Sequence, residues 1–73
     1  MLIKEEIEKE GWVFDKDYLA PFVFQKGEHN LKFFPDDGYT IIRKYDMKEL
    51  YVCFVGNIAS LEEFKTVLRQ VGI

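Results

Sequence analysis

One cysteine, Cys53, and one histidine, His29, are all the chain offers of the residues most used to hold metals and build nucleophiles. A single cysteine excludes an intrachain disulfide, and the usual four-ligand Cys/His zinc site cannot be assembled from these two residues. Positive charge is scarce as well: 10 Lys and Arg stand against 13 Asp and Glu, a net charge of −3. The basic field that supplies most non-specific affinity for nucleic acid is therefore missing. Apolar runs stop at a few residues around Tyr51 to Val55, far short of the roughly 20 that a membrane-spanning helix needs.

The acidic excess lies at one end. Residues 1 to 20 hold Glu5, Glu6, Glu8, Glu10, Asp15 and Asp17 against Lys4, Lys9 and Lys16, and the remainder is balanced. Those early glutamates stand where a signal peptide would place its apolar stretch, and a lone cysteine agrees with a reducing compartment, so a cytoplasmic location is expected. What the chain has in abundance is aromatic: seven Phe, four Tyr and one Trp among 73 residues. A domain this small buries only about 60% of the surface its unfolded chain exposes, so dense ring packing or oligomerisation must supply the missing stability.

The patterning predicts a single α+β domain over residues 1–73. Residues 2–10 read as a short helix with Ile3 and Ile7 on one face, a Glu5–Lys9 pair and Gly11 as terminator, after which Trp12 packs back. Extended segments follow at Trp12–Asp15, at Phe22–Gln25 and at Leu31–Phe34, with an irregular link ending at Pro21. Gly27 and the polar Glu28-His29-Asn30 form one turn, and Pro35-Asp36-Asp37-Gly38 another. Tyr39–Tyr45 alternates, with Tyr39, Ile41, Arg43 and Tyr45 on one side and Thr40, Ile42 and Lys44 on the other. The last strand runs from Leu50 to Val55.

Ser60-Leu61-Glu62-Glu63 is a capping box, and Leu61, Phe64, Val67, Leu68 and Val71 form the apolar stripe of a terminal helix closed by Gly72. These elements predict an antiparallel meander of three to five strands with both helices packed on it. A mixed sheet with the first strand beside the last is the alternative topology.

In the closing segment, Leu50-Tyr51-Val52 opens an apolar strand, Gly56-Asn57 links, and Ser60-Leu61-Glu62-Glu63-Phe64 starts a helix. This part, about the last third of the chain, resembles short uncharacterised proteins of bacterial mobile elements and phages. The resemblance implies an accessory role, such as binding a host or phage component, rather than metabolism.

No grouping of residues reads as an active site. His29 and Glu28 share a solvated turn, and Asp36 and Asp37 lie in the next turn, about a strand length away in a meander. Cys53 sits among Val52 and Phe54, an apolar setting that keeps a thiol inert. The two glycine-bearing turns lack the spacing of a phosphate loop. Phe33, Phe34 and the tyrosines read as packing rather than base-stacking platforms, because the basic and glycine-rich strand signature of RNA binders is absent. Lys26, Lys32, Arg43 and Lys44 read as edge protection and solubility.

No cofactor, metal or small-molecule ligand is implied, and neither a membrane nor nucleic acid is an expected partner. The favoured function is a non-catalytic protein-interaction or accessory domain that self-associates as a homodimer. A small nucleic-acid-associated module is the alternative, followed by an enzyme with a subunit-interface site built from residues such as His29, Arg43 and Tyr45. In the last strand, strict alternation would point Leu50, Val52 and Phe54 one way and Tyr51, Cys53 and Val55 the other. With both helices on one face, Tyr51, Cys53 and Val55 beside Phe34 and Ile42 form the expected self-association patch.

Overall fold

Gly11 and Gly72 end the two helices, and the sheet between them is a plain meander. The computed structural model describes residues 1–16 and 21–73. Element order is α1 (Lys4–Lys9), β1 (Val13–Lys16), β2 (Phe22–Lys26), β3 (His29–Phe34), β4 (Tyr39–Asp46), β5 (Glu49–Asn57) and α2 (Leu61–Val71). The five strands lie in sequence order, each antiparallel to the next, so the first strand does not pair beside the last. The irregular link expected before Pro21 falls on residues 17–20, outside the described residues.

Helix α1 is shorter than its sequence suggests. Its amide end begins at Ile3, whose N–H donates to the Glu6 carboxylate at 3.1 Å, and Ile3 itself is exposed. Leu2 takes the buried place beside Ile7 in the core, and Lys4 pairs with Glu8 across 3.6 Å. At the far end Gly11 adopts φ +92, and Trp12 is 2% exposed.

In α2 the Ser60 hydroxyl accepts from the Glu63 amide at 3.2 Å, as the capping motif requires. The returning Glu63 carboxylate accepts from Ala59 one residue earlier than expected, at 3.0 Å. Gly72, at φ +85, lets the Ile73 amide reach back to the Leu68 carbonyl at 3.0 Å.

Both helices cover the same face of the sheet. Ile7 of α1 and Phe64, Val67 and Leu68 of α2 share one buried cluster with Trp12, Phe24, Leu31, Phe33 and Ile42. Leu31 stands opposite Phe24 on one side and Ile42 on the other, so a single row of apolar side chains crosses three strands beneath the helices. Removing that surface from water is the main stabilising term in a domain of this size. Among the described residues Thr40 is the one polar residue in the buried set, and its hydroxyl donates to the Gly38 carbonyl at 3.0 Å.

Two strands take in residues expected in a turn or a link. His29 and Asn30 were expected in a turn but open β3, because Gly27 at φ +59 and Glu28 make the reversal alone. Gly56 and Asn57, expected as a link, extend β5 opposite Thr40 and Tyr39.

Candidate interaction surface

Strand β4 alternates without interruption. Thr40 and Ile42 are buried under the helices, and Tyr39, Ile41, Arg43 and Tyr45 point to the other, outer face. Strand β5 does not alternate. Ile42 faces Phe54 and the next residue, Arg43, faces Val52, so Cys53 is an extra residue on β5, a β-bulge. Residues on either side of a bulge change face relative to strict alternation. Val55 opposite Ile41, Val52 opposite Arg43 and Leu50 opposite Tyr45 therefore all lie on the outer face.

The bulge rearranges the part of the expected patch that lies on β5, and the regular alternation of β4 removes Ile42 from it. Of its five residues, Val55 and Phe34 lie on the outer face. Ile42 is fully buried beneath the helices, Cys53 packs against the same core, and Tyr51 falls opposite Lys44 on the helix side of the sheet. The residues that replace them outside are Tyr45, Leu50 and Val52, exposed at 60%, 47% and 63%, with Val55 at 50%. Phe34 packs on Tyr39 of the neighbouring strand, ring centroids 5.7 Å apart, at one end of this surface.

Arg43 is the charge set into it. Its guanidinium donates to the Asn30 side-chain carbonyl at 3.1 Å, while its Nε is buried without a partner among the described residues. Gln25, Glu28, Asn30, Arg43, Tyr45 and Leu50 line a shallow hollow of about 210 Å³ here. His29 is not among them: it stands opposite Lys44, on the other face from Arg43 and Tyr45. The set His29, Arg43 and Tyr45 is thus divided between the two faces.

On the helix side, the Tyr51 hydroxyl donates to the Glu49 carboxylate two residues away. That hydrogen bond, aided by partial desolvation, raises the Tyr51 phenol above its ordinary pKa of 10.0. At the β3–β4 turn, Asp37 is engaged in the turn itself, its carboxylate accepting from the Tyr39 amide at 3.0 Å. Among the described residues no three His, Cys, Asp or Glu side chains converge on a point.

The exposed groups gathered on β4 and β5 are aliphatic side chains, one phenol and one guanidinium, which suit binding. The exposure of Leu50 and Val52 was hidden in the sequence by the bulge, since every β5 residue from Leu50 to Val55 is apolar and no polar position marks the change of phase. No protein-family model, no curated protein and no solved structure matches the chain. Among the described residues no helix is long and apolar enough to cross a membrane.

Proposed function

We propose that this chain is a non-catalytic protein-interaction domain that associates with itself through the exposed apolar residues of β4 and β5. The observation that carries this reading is the clustering of Tyr45, Leu50, Val52 and Val55, each about half exposed or more, on one face beside a sheet edge. Together they leave on the order of 400 Å² of side-chain surface open, the size of patch that on monomers is commonly functional. Interfaces favour such a composition, with tyrosine, aliphatic residues and a single arginine in place of lysines and carboxylates. The resemblance of the closing segment to mobile-element proteins supports an accessory role over a metabolic one.

Light scattering at micromolar concentration tests the reading. The wild type is expected at twice the chain mass, and Val52→Lys, a change at an exposed position, at the mass of one folded chain. A wild type that stays at one chain's mass throughout would sink self-association.

A further inference from the structure

The two edges of the sheet are protected unequally. Strand β1 has four residues, two of them the charged Asp15 and Lys16, and its register with β2 is irregular. Strand β5 has nine residues, of which only Glu49 is charged, and it contains no proline. Natural edge strands avoid unwanted pairing by being short, charged, proline-bearing or bulged. β1 is short, charged and irregular in register, whereas β5 has only the bulge at Cys53. Its outward backbone groups form a row of donors and acceptors that an extended strand would satisfy.

We infer that the occupant is a second copy of this chain, whose β5 adds to β5 antiparallel about a two-fold axis near Cys53, making one continuous sheet; this rests on the self-association proposed above. Charge decides between this arrangement and face-to-face stacking of the outer patches. Stacked with a two-fold axis passing at Arg43, each patch would bring that arginine toward the partner copy's own, and the two charges would repel. Joined edge to edge, the two arginines each lie one strand in from the seam. Three strand spacings then separate them by about 14 Å, beyond a screening length of about 8 Å at physiological salt.

The strand itself suits a copy of itself. Residues 50–57 carry no charge, and pairing about an axis between Cys53 and Phe54 sets Leu50 against Asn57 and Val52 against Val55, outer residue against outer residue. The two copies of Glu49 lie at opposite ends of the seam. On the outer face, Leu50, Val52 and Val55 of both chains join into one apolar band across the axis.

Amide hydrogen exchange on the wild type, read across a dilution series with sedimentation in the same buffer, tests the arrangement without any variant. At concentrations where the chain is dimeric, outward-facing amides within residues 50–57 are expected to exchange at least about tenfold more slowly than in the diluted monomer, with the Val13–Lys16 amides unchanged. A dimer whose β5 amides keep their monomer rates would overturn edge pairing and leave self-association standing. A chain that sediments as a monomer at every concentration would overturn both.

Discussion

Gly38 and Ile58 meet backbone to backbone: the Ile58 amide donates to the Gly38 carbonyl at 2.9 Å, and a Cβ on Gly38 would collide with the Ile58 carbonyl oxygen. Gly38 also holds φ +73, where side chains other than hydrogen are strained. This contact pins the segment leading into α2 against the β3–β4 turn. Gly38→Ala is therefore expected to cost at least about 2 kcal/mol, from strain and collision together. Gly27 also has positive φ but has open space around it, so Gly27→Ala should lose only about 1 kcal/mol. Urea denaturation of the two variants checks the difference, and equal losses would mean that the Ile58 contact yields at little cost.

Helix α2 is held by a few side chains. Phe64 and Leu68 are buried in the cluster beneath it, whereas Lys65 on the same helix is exposed. Leu68→Ala is expected to destabilise by about 2–5 kcal/mol through lost burial and the cavity left behind. Lys65→Ala should stay within about 0.5 kcal/mol. Denaturation midpoints at constant m-value give both numbers.

Sequence patterning reached the fold through positions where chemistry and period agree. Ser60 and Gly72 bracket α2, Gly11 ends α1, and a period of two divides β4 into its two sides, although Ile42 was expected on the exposed side and is buried. The pattern failed where it carried no contrast. His29 and Asn30 are polar and have the composition of a turn, yet Gly27 and Glu28 suffice to reverse the chain and the pair opens a strand. In β5 every residue from Leu50 to Val55 is apolar, so alternation cannot report which residues are buried, nor that Cys53 shifts the phase. The candidate surface depended on that phase. Its location on the sheet face away from both helices was legible, but only Phe34 and Val55 of its expected members lie there.

The Tyr51 phenol should titrate above 10.0, because its proton is held by the Glu49 carboxylate and loss of that proton would set two negative charges side by side. A pKa raised by folding means that the native state keeps its proton where the unfolded chain has lost it. The contribution to stability is thus complete below the ordinary phenol value and disappears as pH rises through the higher folded value. Phenolate absorbance during alkaline titration, with Tyr51→Phe to identify the signal, measures the shift. Glu49→Gln is expected to move the Tyr51 midpoint down, and an unchanged midpoint would remove the carboxylate as its cause.

Deleting Cys53 should leave a folded protein. Ile42 and Arg43 are adjacent on β4, while their partners Phe54 and Val52 are separated by Cys53 alone. Without that residue each remaining side chain of β5 keeps both its partner and its face, and the bulge closes into a regular ladder. What is lost is the packing of Cys53 against the core and the local bend, an expected cost of roughly 1–3 kcal/mol. Deleting Ile41 from the regular strand β4 would instead turn one end of that strand over, sending either Thr40 or Ile42 from the buried face to water. That chain is expected to show no cooperative unfolding transition. Urea denaturation followed by circular dichroism separates the two outcomes, and an unfolded chain lacking Cys53 would mean that the bulge itself is required for the sheet to form.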